Sequence, residues 1–193
     1  SSDEAGALLA AKESNVSRSV IQVKLLGILT NQITSEFFTP SFINSRKSNK
    51  SYWLLHLSRH PRARDAMTAL HWSLQNHFLH QGRAGLNMLG NDPIHENQLP
   101  HLFDEEAKQA TFNALVNELP YHIPSDGIKF GQLFRSLCNS TPATQEMLKR
   151  ALIELKDLKQ IEIRTEDGRA RNPSANVLDE DIVMKPRQIW LFG

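Results

Sequence analysis

The stretch STPATQEMLKRALIELKDLKQIEIRTEDGRARNPSANVLDEDIVMKPRQIWLF, residues 140–192, decides how the chain is read. Thr141 stands where a helix N-cap is expected, with Pro142 at the first helical position, where a missing N–H is no loss. Leu148, Ala151, Leu152, Leu155 and Leu158 then recur on one helical face. Gln160-Ile161-Glu162-Ile163-Arg164 alternates as a half-buried strand does. Glu166-Asp167-Gly168 reads as a turn and 181–191 as a returning strand. Upstream, Asp104-Glu105-Glu106 sets acids at the positive end of a helix. Ala107, Phe112, Leu115, Val116 and Leu119 form its stripe, and Pro120 is expected to stop it. A turn at 124–127, a brief strand at Ile128 and Phe130, and a second helix over 131–138 lie between. Three helices, a strand, a wing and a strand is the winged helix-turn-helix order, expected over 103–193.

Residues 1–102 read differently. The Ala-rich start, 1–15, is expected to be a frayed segment. Ile21, Val23 and Leu25 alternate with Gln22 and Lys24, which favours a strand over 19–29. A helix competes, because Ile21, Leu25, Ile28 and Gln32 also share a helical face. Pro40 and the Ser/Asn-rich surroundings make 31–49 a loop, held down by Phe37, Phe38 and Phe42. Tyr52-Trp53-Leu54-Leu55-His56-Leu57 carries no charge, as expected of a strand covered on both faces. Ser58-Arg59-His60-Pro61 is a sharp turn, with Pro61 opening a helix to His80 on the stripe Ala63, Met67, Leu70, Leu74 and Phe78. Strand, turn and helix at 51–80 suggest a unit of an α/β sheet. Residues 81–101 hold three glycines and two prolines around the apolar 86–89, and read as a connector. The fold class is therefore α+β and helix-rich, with a domain division at 102/103.

The 193 residues, 40% hydrophobic, suffice for one large domain or two small ones. The formal net charge of +1 gives no global argument for nucleic acid or membrane. It is unevenly spread: residues 1–102 hold ten Lys/Arg and seven Asp/Glu, and residues 103–193 hold twelve and fourteen. The winged-helix part is thus the acidic one, which weighs against DNA reading. A single cysteine, Cys138, permits no intrachain disulfide, so a reducing cytosol is the expected compartment and a buried core role the expected fate of the thiol. No apolar run reaches the length of a membrane span, and residues 1–15 lack the basic and apolar regions of a signal peptide.

Two basic sets are candidates for nucleic-acid contact. The third helix of the winged helix offers Lys149 and Arg150, and its wing Arg164, Arg169 and Arg171. Glu146, Glu154, Glu162, Glu166 and Asp167 stand among them and would repel phosphates. A packing or protein-docking use of the winged helix is therefore favoured over DNA reading. The denser cluster is Arg46, Lys47, Lys50, Arg59, His60, Arg62 and Arg64. A turn after a strand, at a helix N-terminus, is where open α/β sheets hold anions. The eight histidines include the pairs His56/His60 and His77/His80, but neither brings a carboxylate or thiolate at the spacing of a zinc site. No phosphate-binding glycine loop or nucleophile elbow is present, so no cofactor and no catalytic residue is assigned.

Residues 49–67, NKSYWLLHLSRHPRARDAM, resemble the three-Cys-motif partner proteins, which carry a similar aromatic strand, a Thr/Ser-x-His turn and a helix with Met at this place. The Thr-Pro…Leu-Lys-Arg-Ala-Leu-x-x-Leu segment of 141–155, followed by Asp167-Gly168-Arg169-Ala170-Arg171 and Asp181-Ile182, is similar to their C-terminal part. The resemblance covers most of 18–192. It implies an upstream α/β region resembling a methyltransferase and a radical-SAM-like partner protein with three cysteines. Neither the nucleotide-binding glycines nor three cysteines occur in this sequence, so the resemblance makes it the tail of the α/β region followed by a winged helix. The leading expectation is a non-catalytic module that binds a partner protein or nucleic acid. A fragment of a nucleic-acid-modifying, methyltransferase-like enzyme is the alternative, and an oligomerisation domain the third.

Overall fold

The computed structural model describes residues 25, 27–29, 32–44, 51–74, 79–80, 85–86, 101–172 and 176–186. In chain order the elements are β1 (Phe37–Asn44), β2 (Ser51–Ser58), α1 (Pro61–Leu74), β3 (Leu79–His80), β4 (His101–Leu102), α2 (Glu105–His122), β5 (Ile128–Lys129), α3 (Phe130–Leu137), α4 (Gln145–Asp157), β6 (Glu162–Arg164) and β7 (Ile182–Met184). One sheet has the order β2-β1-β3-β4 and the other β5-β7-β6, and the strand pairs are antiparallel.

From α2 to β7 the order is helix, strand, helix, helix, strand, wing, strand, which is that of a winged helix-turn-helix. Asp104 caps α2 by accepting from the Ala107 N–H at 2.8 Å. Pro120 does not stop α2, which runs on to His122, and the buried Leu119 and Ile123 carry that last turn into the core. The turn at 124–127 closes on Gly127, whose φ of +88° puts it in the left-handed region that glycine tolerates best. β5 and α3 follow, but Phe130, expected in the strand, is the first residue of the helix, which ends at Leu137. α4 is capped by Thr144, which accepts from Met147 N at 3.2 Å, not by Thr141. Thr141 lies three residues before that cap and accepts from Ala143 N within the buried turn between α3 and α4. Leu148, Ala151, Leu152 and Leu155 are buried as expected, whereas Leu158 is exposed because the helix has ended.

The core gathers Leu115, Leu119, Phe130, Leu133, Leu148, Leu152, Leu155, Ile163 and Val183, all nearly inaccessible to solvent. Each such Leu contributes about 2 kcal/mol relative to leaving it exposed. Cys138 is part of this core, and burial raises its thiol pKa.

The first part departs further from expectation. Residues 27–29 are helical, so the strand expected over 19–29 does not extend through them; its earlier part lies outside the described residues. The segment expected as a loop contains β1, which pairs with β2 from Phe37 opposite Ser58 to Asn44 opposite Ser51. Pro40 lies within β1, opposite Leu55. A hairpin thus replaces the expected parallel α/β unit. β2 is not covered on both faces either, since Tyr52 is 57% and Leu54 39% exposed at the sheet edge. The connector is described only at 85–86, where Leu86 N donates to Glu118 Oε2 at 2.6 Å and fastens it to α2.

α1 is turned the wrong way for its sequence. Leu70 and Leu74, expected on its buried stripe, are 46% and 42% exposed, while Arg64, Thr68 and His71 are buried beside Trp72. α1 ends at Leu74, short of His80, which belongs to β3. Thr39 and Ser41 of β1 accommodate the inversion: they present hydroxyls to α1, which meets them with polar groups. Thr39 Oγ1 donates to Arg64 O, and Ser41 Oγ shares a hydrogen bond with His71 Nε2 at 3.4 Å. Phe103 closes the layer edge-on to Trp72, with ring centroids 4.7 Å apart.

Burial, with Arg64 and His56 nearby, lowers the His71 pKa from 6.5 to about 4. Between these values the unfolded chain takes up a proton that the folded chain refuses. Stability from this residue is therefore complete above about pH 6.5 and falls by about 3 kcal/mol as the pH drops to 4. Urea unfolding across this range should show the loss, and His71→Gln should flatten the slope; equal slopes in the two proteins would refute the assignment.

Candidate functional site

The start of α4 is where a winged helix reads DNA, because its first turns face the major groove and its backbone donors face phosphate. In this chain that end is occupied from within. The turn of 141–144, between α3 and α4, lies against α1, and α1 supplies its hydrogen-bond partners. Arg64 donates from Nη2 to Thr141 O and from Nη1 to Ala143 O at 2.7 Å. Trp72 Nε1 donates to Pro142 O at 2.8 Å. Gln145 N, the first backbone donor of α4, goes to Asp65 Oδ1 at 2.7 Å. The Gln145 side-chain amide donates to Asp179 Oδ1 at 2.9 Å, and Arg62 reaches the other oxygen of Asp179 at 3.8 Å. Three consecutive carbonyls and the first helical N–H are thus satisfied by one helix, whose residues precede 102 while the groups they hold follow it.

The electrostatics fit a structural contact. Arg64 is 1% exposed, and desolvation lowers its pKa to about 10, so it remains a cation at neutral pH. Carbonyl dipoles balance the charge at short range, and Asp65 adds a nearby anion. Burial also raises the Asp65 pKa, opposed by the bond from Gln145 N and the charges of Arg64 and Lys149. A surface phosphate contact by Arg64 is therefore corrected: its guanidinium is enclosed and engaged.

The other sequence-derived residues are dispersed. Arg46, Lys47 and Lys50 lie outside the described residues. Arg59 is exposed and donates to Thr34 O, and the exposed His60 accepts from Arg62 N through Nδ1 at 3.2 Å. Their argument from an open parallel sheet does not apply to an antiparallel hairpin. Lys149 lies over the Phe130 ring at 5.3 Å and Arg150 over Phe112 at 5.5 Å, so both stems cover apolar surface.

The wing arginines are each paired with an acid. Arg164 binds Glu162 at 2.6 Å, Arg169 binds Asp167 at 2.9 Å, and Arg171 lies 3.3 Å from Asp181. Only the last is sheltered, with side chains 18% and 3% exposed. Asp181 also accepts from Leu178 N, and Lys156 donates to Arg171 O, so this pair ties the wing to β7 and α4. Lys129 sits between Glu166 and Glu180 at 2.8 and 2.7 Å, and these bonds raise its pKa.

Sequence reading missed Asp65 and Trp72 and gave Arg64 the wrong role. The available signal was the spacing of Arg64, Thr68, His71 and Trp72, a helical face that hydropathy discards as solvated.

The wing pairs separate by measurement. Arg171→Ala leaves Asp181 buried without its cation and should cost about 3 kcal/mol, whereas Arg169→Ala should stay within about 0.5 kcal/mol. Urea unfolding of the two variants checks the order, and equal losses would contradict it.

Among comparisons with known proteins, residues 91–168 match the model of the GMT-like wHTH domain. No curated protein and no solved structure matches. Among the described residues no helix is long and apolar enough to cross a membrane. The match takes in α2, β5, α3, α4 and β6 and ends before β7: the chain carries a winged helix-turn-helix domain similar to the GMT-like wHTH domain.

Proposed function

We propose that the chain is a winged-helix interaction module of the three-Cys-motif partner kind, and that it docks a partner protein instead of reading a DNA major groove. The observation that carries this reading is the occupied start of α4, where Asp65 holds the first N–H and Arg64 and Trp72 hold the preceding carbonyls. A major-groove reader needs those first turns open. The wing supports the same reading, since Arg164, Arg169 and Arg171 each face an acid before any phosphate arrives. Glu146 and Glu154 add like-charge repulsion along the exposed side of α4. The similarity to the GMT-like wHTH domain supports an interaction module. The resemblance in the first part names the partner to try, a radical-SAM-like protein with three cysteines. Nucleic-acid contact, where it occurs, falls to Arg59, Arg62 and the basic residues Arg46, Lys47 and Lys50, as a phosphate contact without sequence preference.

Titration of a labelled duplex against salt tests the reading. A module that does not seat on the groove should bind weakly, with a log–log salt slope shallower than about −3. Tight binding with a slope of about −6, reduced by about one unit in Arg169→Ala, would establish a DNA reader instead.

A further inference from the structure

We propose that the outer edge of β2, with the apolar flank of α1 above it, is an interface between two copies of this chain, β2 pairing antiparallel with its own copy about a two-fold axis. This contact lies on the side of α1 away from the winged helix and so is independent of how that domain is used.

Among the described residues β2 closes one end of the order β2-β1-β3-β4, so one of its edges has no strand beside it. Its sequence, SYWLLHLS, holds no Asp, Glu, Lys, Arg or Pro. Edges that stay open usually carry a charge, a proline or a bulge, yet β2 pairs with β1 without a break along its length. Register decides which of its side chains lie under α1. Thr39 and Ser41 face α1, and His56 and Leu54 stand opposite them, with Tyr52 two residues further on the same face. α1 runs back along β2, since Arg64 O meets Thr39 and His71 meets Ser41. Leu70 and Leu74 therefore come to the level of Leu54 and Tyr52. At about 100° per residue they occupy the flank of α1 opposite Asp65 and Trp72, which hold the winged helix. Phe103, directly after β4 at the other end of the sheet, packs on Trp72, so the Leu70 flank looks toward β2. Four of the eight large apolar side chains exposed among the described residues are thus gathered beside one open strand edge.

A second copy fits this face on two counts. The first is charge. A strand paired with itself about a two-fold axis brings each residue near the axis against its own kind, so a lysine or an acid there would meet its like, and β2 has neither. The second is spacing. α1 packs on both β1 and β2, so its axis runs above the gap between them. With strands about 4.8 Å apart, a two-fold axis half a strand spacing beyond β2 stands about 5 Å from α1 in projection. The two copies of α1 then lie about 10 Å apart, close to the distance of packed helices. Met67, Leu70 and Leu74 meet their own copies there, and both copies of β2 become inner strands of one continuous sheet. A lone added strand would satisfy β2 but leave Leu70 and Leu74 in water. The apolar side of α1 that the single chain exposes is the side that the pair buries.

Sedimentation of the full chain tests the contact. The parent should run at twice the 21.9 kDa chain mass. The double variant Leu70→Lys/Leu74→Lys changes two side chains that face solvent in the single chain, so its circular dichroism should match the parent while its dissociation constant rises at least about tenfold. Leu54→Lys sets at the edge of β2 the charge that open edges carry and should weaken the dimer as much. Tyr121→Lys, at an exposed apolar residue of the winged helix, should leave the dimer intact. Cross-linking gives a second reading. Cys138 is the single cysteine and is buried, so Leu74→Cys supplies an accessible thiol, and a short bis-maleimide should join two chains through it but not through Tyr121→Cys. If Leu54→Lys fails to fold, the helix variant and the cross-link decide. A parent that stays monomeric at about 100 μM would overturn the proposal and leave the edge to a strand of another protein. A dimer that survives the helix lysines, or one that Tyr121→Lys dissociates, would move the contact to the winged helix and also overturn it. Open-ended multimers in place of a closed pair would do the same.

Discussion

The contact on which the rest depends is one guanidinium against two carbonyls. Arg64 enters the turn before α4 and donates to Thr141 O and Ala143 O from a position almost closed to water. A turn that is buried must have its carbonyls satisfied, and neither α3 nor α4 can reach back to do so. A cation with several donors in a planar fork meets two of them at once, and the Trp72 indole meets the third. Removing α1 would leave that turn either solvated or unsatisfied. The winged helix is therefore not indifferent to the hairpin and helix before it.

This contact also explains the odd face of α1. An arginine must lie inside, so the helix turns its polar side inward, and the strand beneath answers with Thr39 and Ser41. His71 follows one helical face along from Arg64 and is held neutral beside it. Once the polar side is buried, Leu70 and Leu74 are left outside. The inversion is a consequence of where the carbonyls are, not of local helix preference.

Much of the winged helix was legible because its elements are local and amphipathic. The Leu148–Leu155 face, the alternation at Ile161 and Ile163, and the turn ending at Gly168 each depend on spacing within a few residues. The Thr141 cap was misplaced by three residues because two threonines precede the helix, and only the backbone reveals that Thr144 is extended and meets Met147 N. The first part was harder. β1 contains Pro40 and several polar residues, and its strand character comes from pairing with β2, a separate stretch of the chain. The candidate site suffered similarly: a run of arginines looks like a basic surface until one of them is found inside.

By itself, the sequence determined the winged-helix order, the acidic character of that part and the burial of Cys138, since periodicity, charge count and a lone apolar-flanked thiol need no distant partner. The tertiary structure decided what Arg64, Asp65 and Trp72 do, and with them whether the start of α4 faces outward. Their partners lie 70 to 80 residues away in the chain. A polar residue is read as solvated from its neighbours in sequence, and only a carbonyl brought to it by the fold can pay for taking it out of water.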